Sequence, residues 1–230
     1  MSGGLLVVRP EPGNARTVVR LRAGGGRDVI AWPLFAPAPV PWEAPDPARH
    51  DALLVTSANA MRLGGAGLAR LTGLPVIAVG AETAAAATAA GFRVATIGDG
   101  GVDAALAAGR ATGLERPLHL AGREHVDSGH PTVIVYASAD VSTDAAAFAA
   151  AAGGRIVLLH SERAAMRVAT LLPGRREAIG IAALSAKVRT AAGDGWGIAL
   201  TADVPRDAAL CSLVLQRAID RAADAGDKRP

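Results

Sequence analysis

Four hydroxyl residues follow apolar, strand-like runs of the chain, at positions where a helix is expected to begin. Ser57 and Thr83 lie in the first half of the sequence, and Ser161 and Ser185 lie in the second half. The first turn of a helix carries unpaired backbone N–H groups and the positive end of the helix dipole, so these positions suit an anionic ligand. Each residue alone is also explained as a local N-cap, for which Ser and Thr are favoured. The whole set, spread over two similar segments, favours a binding role.

The neighbouring residues at these turns allow an anion to approach the backbone closely or to meet a positive charge. Ligands of parallel α/β sheets bind outside the carboxyl ends of the strands, which makes the strand-to-helix turns the candidate site. The turns are Val8-Arg9-Pro10, Thr56-Ser57-Ala58-Asn59, Gly80-Ala81-Glu82-Thr83, Ala121-Gly122-Arg123, His160-Ser161 and Leu184-Ser185.

The elements that must position these turns occur twice in the chain. DALLVTSANAMRL, which starts at Asp51, matches RIVLLHSERAAMRVA, which starts at Arg155, and Asp103-Ala-Ala-Leu106 matches Asp207-Ala-Ala-Leu210. A repeat of this length predicts two similar lobes, with a cleft between them where ligands commonly bind. The repeat itself is compatible with lobes laid end to end or interleaved.

Strands alternate with helices throughout, which predicts mostly parallel sheets with helices on both faces. The chain opens with a predicted strand over residues 5–8, a helix over 14–23 and a strand over 29–32. Residues 33–47 contain six prolines and are therefore expected to form an extended connector. The segment between Arg123 and Val133 is too short for a crossover helix, so one helix of the second lobe is expected to be missing.

Composition excludes several function classes. Basic residues are dispersed, the formal charge is +3 and aromatic residues make up only 3%, which disfavours nucleic acid binding and a flavin carrier. The single cysteine, Cys211, and the absence of a leader-like start predict a reducing cytoplasm, and no apolar run is long enough for a membrane span. His119, Glu124, His125 and His130 cluster in sequence but lack the spacing of a metal site, so no metal is expected.

Six segments spread over nearly the whole chain carry a family pattern. They read VVRPEPGNARTVVRLRAGG, WPLFAPAPV, LLVTSANAMR, IAVGAETAAAATAAGF, HLAGRE and VIVYAS. In this order they resemble uroporphyrinogen-III synthases, and the TSANA and VGAET turns are the most specific part. One departure is Leu184-Ser185-Ala186, where relatives often have a Gly-Pro-Thr-Thr-like turn.

The resemblance implies a fold and an activity. The fold would be α/β with two flavodoxin-like lobes, doubly wound around parallel sheets and joined by two antiparallel connectors. The first lobe would be discontinuous, comprising residues 1–35 and 141–230, the second lobe residues 42–136, and the connectors residues 36–41 and 137–140. The activity would be that of a cofactor-free lyase that converts hydroxymethylbilane to uroporphyrinogen III with inversion of the last pyrrole ring, in haem biosynthesis. The family suggests a monomer, and the composition described above predicts no nucleic acid or membrane partner.

The resemblance also implies the roles of site residues. Tyr136, by analogy with the family's tyrosine on the returning connector, would donate a proton to the leaving hydroxyl or hydrogen-bond with it; the alternative is a locally packed tyrosine. Glu82 has the simpler explanation of an acid in a first helical turn, and Arg9 that of a solvated surface residue. Contacts to the substrate's carboxylates would come from Arg9, Thr56, Ser57, Asn59, Gly80, Glu82, Thr83, Gly122, Arg123, Ser161 and Ser185.

A different class of function predicts the same set of turns. A cytoplasmic two-lobed binding or sensor protein for a small anionic ligand would need the donors without the proton donor. The residues alone leave both hypotheses open.

Overall fold

A computed structural model describes the backbone of residues 4–226 and the side chains of residues 4–217. Strands and helices alternate over most of the described chain, as the sequence predicts. In chain order the elements are β1 (Leu5–Val7), α1 (Gly13–Ala23), β2 (Val29–Ala31), β3 (Phe35–Pro39), β4 (Ala52–Val55), α2 (Ala58–Leu63), β5 (Val76–Val79), α3 (Ala81–Ala89), β6 (Val94–Gly98), α4 (Val102–Ala111), β7 (Pro117–Gly122), β8 (Thr132–Asp140), α5 (Ala145–Ala152), β9 (Ile156–Leu159), α6 (Glu162–Leu171), β10 (Gly180–Ala183), α7 (Ala186–Ala192), β11 (Ile198–Thr201) and α8 (Asp207–Gly226).

The chain divides into two compact units. Unit 1 contains the residues up to Ala36 and from Asp140 onward, and unit 2 is Pro37–Ala139. The sheet of unit 1 has the strand order β11-β10-β9-β1-β2, and all its neighbouring strands are parallel. The second sheet has the order β3-β8-β7-β4-β5-β6. Its neighbouring strands are parallel in the part of this order that runs β8-β7-β4-β5-β6.

Each sheet has apolar residues on both faces because successive side chains of a strand point in opposite directions. In unit 1, Leu6 packs on one face with Phe148 of α5, while Leu5 packs on the other face with Leu210 of α8. In unit 2, Leu53 packs beside α2 and α3, while Leu54 packs beside α4. The sequence pattern of short, wholly apolar strands is typical of parallel sheets covered by helices.

Cys211 of α8 belongs to the buried core of unit 1. Burial raises the pKa of its thiol to about 11. The thiolate, which is the reactive form of cysteine, is therefore scarce at neutral pH.

The proline-rich segment is partly a strand. Residues 35–39, with Pro37 and Pro39, form β3 at the edge of the second sheet. An edge position accommodates prolines because a residue without an N–H cannot bond to neighbours on both sides.

The connection from β7 to β8 contains no helix: residues 123–131 form turns and irregular structure. Ser128 and Gly129 lie in this connection, and Gly129 has a φ of +69°. The structure therefore confirms that this parallel connection lacks the usual crossover helix, as the short segment predicts.

Each sheet contains one point from which strands that follow each other along the chain are added outward in opposite directions; we call this point the strand reversal. This point lies between β1 and β9 in unit 1 and between β4 and β7 in unit 2. The crevice outside the carboxyl ends of the strands at such a point is the usual ligand site of an open α/β sheet.

Among the described residues, the helices are either too short or too polar to cross a bilayer.

Candidate functional site

A cavity of about 500 Å³ lies at the carboxyl ends of the strands of unit 2. Every strand from β4 to β8 contributes to it, directly or through the turn that follows. Its lining residues are Thr56, Ser57, Val79, Gly100, Gly101, Val102, Asp103, Gly122, Glu124, His125, Val126 and Tyr136. Four of the residues predicted from the sequence meet here, at the point where the strand order reverses.

A larger cavity, of about 630 Å³, lies in unit 2 near the residues that precede strands β4, β7 and β8. Arg49, His50, Arg116 and His130 are among its lining residues, and none of the predicted site residues is. Parallel sheets carry their ligands at the carboxyl ends of strands, so the smaller cavity is the candidate site.

Tyr136 lines the candidate cavity and lies beside a bulge in strand β8. Ala121 pairs with Ile134, but the next residue, Gly122, pairs with Tyr136, so one residue of β8 is bulged. As a result Val135 and Tyr136, although consecutive, both pack against the same apolar cluster. Bulges next to active sites commonly redirect a side chain in this way.

Gly122 provides the space that the Tyr136 ring occupies. A Cβ atom on Gly122 would lie 2.5 Å from the ring carbon Cζ and 2.8 Å from the hydroxyl oxygen. The backbone of Gly122 is outside the positive-φ region, so its requirement for glycine is one of space rather than of conformation. Gly122 and Tyr136 therefore form one packing unit at the wall of the cavity.

Thr56 is hydrogen-bonded to a buried histidine behind the cavity. Its Oγ1 lies 3.2 Å from Nε2 of His119, and Nδ1 of His119 lies 3.1 Å from Oγ of Ser128. His119 is fully buried in β7, and its ring meets the ring of His125 edge-on with centroids 5.5 Å apart. Burial, with the charges of His125 and His130 adding to it, lowers the pKa of His119 to about 4. The imidazole is therefore neutral at neutral pH.

Three of the predicted serines are N-caps. The Oγ atoms of Ser57, Ser161 and Ser185 accept hydrogen bonds of 3.3, 3.2 and 3.4 Å from backbone N–H groups of α2, α6 and α7. The local capping interpretation therefore holds for these oxygens. Capping uses a lone pair of the hydroxyl oxygen, so the O–H group can still donate to another acceptor.

The start of α3 differs from the sequence expectation. The helix is capped by Gly80, which has a φ of +83°, and Thr83 is only 4% exposed. Glu82 lies in the first turn, as its simpler interpretation predicts, and forms an exposed ion pair of 3.0 Å with Arg62. Gly80 thus presents backbone at this turn, whereas Thr83 is part of the core.

Two predicted residues of unit 2 are not among the residues that line the candidate cavity. Asn59 lies in α2, and its backbone N–H donates to Ser57. Arg123 is exposed at the end of β7, and its backbone N–H donates to the carbonyl of Tyr136.

At the corresponding carboxyl ends of the strands of unit 1, polar side chains bind one another. Asp207, in the first turn of α8, accepts a hydrogen bond of 2.7 Å from Thr17 and lies 2.8 Å from Nε2 of His160. It also pairs with Arg20 and, at 3.3 Å, with Arg9. Arg9 is therefore a half-buried, paired residue and not the solvated surface arginine that the sequence left open.

Opposing effects set the protonation of this cluster. Burial tends to raise the pKa of Asp207, but hydrogen bonds from Thr17 and His160 and the charge of Arg9 lower it below its ordinary value. Burial lowers the pKa of His160, and the hydrogen bond to Asp207 opposes that effect. Asp207 is thus ionised at neutral pH and balances the arginines beside it.

Sequence reasoning missed part of the cavity. Gly100, Gly101 and Asp103, which follow β6, were not among the predicted turns, although a glycine pair before a helix and the Asp103 match to Asp207 were visible. His119 was considered only as a metal ligand. Among the described residues, no three His, Cys, Asp or Glu side chains are grouped so that they could hold a metal ion.

Comparisons with known proteins point to one family. The family model described as uroporphyrinogen-III synthase HemD matches residues 15–128, which include β4, β7 and all the cavity residues except Tyr136. None of the curated proteins compared with the chain matches it.

Two solved structures of uroporphyrinogen-III synthases were found to be similar to the chain. Uroporphyrinogen-III synthetase from Helicobacter pylori 26695 superposes with a TM-score of 0.54 at 18% identity, covering 94% of this chain and 100% of its own. Wild-type uroporphyrinogen III synthase from Thermus thermophilus has a TM-score of 0.40 at 14% identity, covering 96% of this chain and 99% of its own. The family-model match thus covers just under half of the chain, and the two-sheet α/β fold is similar to that of the Helicobacter pylori enzyme.

Proposed function

We propose that this protein converts hydroxymethylbilane to uroporphyrinogen III, closing the macrocycle with inversion of the last pyrrole ring and loss of water. The family-model match over residues 15–128 supports the reaction. The observation that carries the proposal to particular residues is the cavity at the strand reversal of unit 2, which combines hydroxyl donors, exposed helix starts and Tyr136.

The substrate's chemistry matches the chemistry of these residues. A linear tetrapyrrole with eight carboxylates requires many N–H and O–H donors, and helix starts supply them without a concentrated positive charge. The cavity accommodates part of such a molecule. We propose the donors of both units as carboxylate contacts, namely Arg9, Thr56, Ser57, Asn59, Gly80, Gly122, Arg123, Ser161 and Ser185, with Glu82 and Thr83 acting only through the position of α3.

Tyr136 is the proposed proton donor. Its O–H would transfer a proton to the hydroxyl of the substrate as the C–O bond breaks, which releases water and leaves a cation delocalised over the pyrrole. The substituted carbon of the last ring then attacks this cation and forms a spiro intermediate, whose reopening and reclosure invert the ring. Most of the rate enhancement comes from holding the chain in the folded arrangement, with acid catalysis as a smaller contribution.

The finer architecture belongs to the same proposal. Each sheet with its helices would be a flavodoxin-like lobe, and residues 36–41 and 137–140 would be antiparallel connectors between lobes comprising residues 1–35 with 141–230 and residues 42–136. The enzyme would act without a cofactor, as a hydro-lyase and a monomer in the cytoplasm. Its single cysteine, which is buried, is consistent with a reducing compartment.

An isomer assay tests the activity. Hydroxymethylbilane is supplied with and without the protein, and the cyclised products are oxidised and separated. We expect the type III isomer with the protein and the spontaneous, uninverted type I isomer in the blank. Type I product at the rate of the blank would contradict the enzyme assignment, and tight binding of hydroxymethylbilane without turnover would support the non-catalytic binding protein instead.

A further inference from the structure

His119 is a buried polar side chain with a partner on each ring nitrogen. It is fully buried, yet Thr56 and Ser128 lie within hydrogen-bond distance of Nε2 and Nδ1. Of these two partners, Thr56 lines the candidate cavity and Ser128 does not. The three side chains thus form a chain of hydrogen bonds that leads from the irregular β7–β8 connection to the cavity wall.

The neutral imidazole donates at one nitrogen and accepts at the other, so only two patterns satisfy both partners. In the first pattern Nε2–H donates to Thr56, and Ser128 donates to Nδ1. In the second pattern Thr56 donates to Nε2, and Nδ1–H donates to Ser128. The patterns differ in where the hydroxyl hydrogen of Thr56 points.

This difference decides what Thr56 can do for a substrate. In the second pattern its hydrogen is used by His119, and the oxygen offers only lone pairs, which repel a carboxylate. In the first pattern the oxygen accepts from Nε2–H, and the hydroxyl hydrogen is directed to another acceptor. A hydroxyl that already accepts a hydrogen bond in a site of low polarity is also a stronger donor, because neighbouring bonds polarise each other.

We propose that His119 is a positioning residue: held by Ser128 as the Nε2–H tautomer, it donates to Thr56 and so makes the Thr56 hydroxyl a donor to a substrate carboxylate. The inference rests on the proposed function, because it assumes that the cavity receives a polycarboxylate. It assigns His119 an action through Thr56 and no contact with the reacting atoms.

The low pKa of His119 supports the same role. An imidazole that titrated near neutrality would become a cation with two donors and could not accept from Ser128. Burial, reinforced by the charges of His125 and His130, prevents this, whereas the carboxylate of Asp127 has the opposite, weaker effect. The imidazole therefore stays neutral at neutral pH and keeps one nitrogen that can accept from Ser128.

A double-mutant cycle tests the coupling. We expect Thr56→Val to lower kcat/KM for type III formation by about tenfold to a hundredfold and His119→Phe by about tenfold, the losses typical of a hydrogen bond to a charged group. Because His119 acts through Thr56, His119→Phe should cost less than about twofold when Thr56 is already Val. Equal losses in both backgrounds would overturn the proposal.

Matched variants separate positioning from folding. His119→Gln places an amide N–H near the position of Nε2, so we expect it to recover most of the loss, with the remaining effect in KM rather than kcat. His160→Gln changes the other buried histidine near a strand end, and its effect should be additive with that of Thr56→Val. A His119→Gln variant that stays folded but is as impaired as His119→Phe would contradict the proposal.

A readout independent of turnover keeps the two proposals distinguishable. The ¹⁵N chemical shifts of the imidazole at neutral pH report which nitrogen carries the proton. We expect His119 protonated at Nε2 in the wild-type protein and a change in that signal in Ser128→Ala. Protonation at Nδ1 would overturn the positioning role even in an active enzyme, whereas wild-type protein that gives only type I product would contradict the proposed function.

Discussion

The two sheets have comparable strand reversals, but the polar groups at the carboxyl ends of their strands are arranged differently. We call these carboxyl ends the edges that are compared below. At the strand reversal of unit 1, the carboxylate of Asp207 is surrounded by Thr17, Arg20, Arg9 and His160. At the strand reversal of unit 2, there is a cavity of about 500 Å³ lined by hydroxyls, glycines and Tyr136. The same topology thus produces one place where a carboxylate is held by ion pairs and hydrogen bonds and another where donors line a cavity.

The matched aspartates show the difference most directly. Asp103 and Asp207 each lie in the first turn of the helix that follows the last strand of their sequence copy. The side chain of Asp207 is 19% exposed and compensated by cations, whereas Asp103 is an exposed residue of the cavity wall. Repeated sequence therefore predicts repeated structure better than it predicts repeated chemistry.

The largest expected effect concerns the two buried histidines as pH falls. In the folded state the pKa of His119 is about 4, against an ordinary value of 6.5, so between these values the unfolded chain binds more protons. Stability is therefore fully present above about pH 6.5 and decreases as pH falls toward 4, by about 3 kcal/mol for this residue. Urea unfolding at neutral pH and near pH 4.5 measures the decrease.

His119→Gln should remove most of this pH dependence, and His160→Gln should remove less, because Asp207 partly offsets the burial of His160. Asp207 itself, whose pKa is lowered from 3.8, loses its contribution only below that pH. An unchanged pH dependence in His119→Gln would show that another group is responsible.

Removal of the Tyr136 hydroxyl is the next largest effect. Tyr136→Phe should lower kcat for type III formation by about 100-fold, the range expected for loss of a general acid, with little change in the melting temperature. A fully active variant would eliminate the proton-donor role and reduce Tyr136 to a packing residue.

Neutralising the matched aspartates should affect stability unequally. Asp207→Asn leaves Arg9 and Arg20 without their carboxylate in a half-buried setting, so we expect a loss of about 2 kcal/mol in the free energy of unfolding. Asp103→Asn should change stability by less than about 0.5 kcal/mol. Equal losses in denaturant unfolding would remove the contrast between the two edges.

Adding a methyl group at a glycine of each edge should have the smallest effect. Gly122→Ala forces the Tyr136 ring to move and should lower kcat/KM by about tenfold. A Cβ on Gly13 would lie 2.5 Å from Nε of Arg9, the end of a flexible side chain that can shift, so Gly13→Ala should cost less than about threefold. Isomer assays of both variants, with circular dichroism as a folding control, test this order.

Much of the fold was predictable because short apolar strands and alanine-rich helices are local patterns. The strand near residues 5–8 and the helix near 14–23 lie within a residue of the observed elements. The bulge that aligns Tyr136 with Gly122 and the pairing of Arg9 with Asp207 depend on distant parts of the chain, so spacing along the sequence did not reveal them. The hydrogen bonds of His119 could not be predicted for the same reason: its partners come from the turn after β4 and from the β7–β8 connection.

The chemistry of Cys211 makes the protein convenient for site-specific labelling. It is the single cysteine of the chain, it lies in the core and its thiol is poorly ionised, so maleimide reagents should leave the native protein largely unmodified. A cysteine introduced at Val126, whose side chain is exposed at the cavity, would then be the main reactive thiol. A fluorophore attached there would report ligand entry in a protein that needs no prior removal of native cysteines.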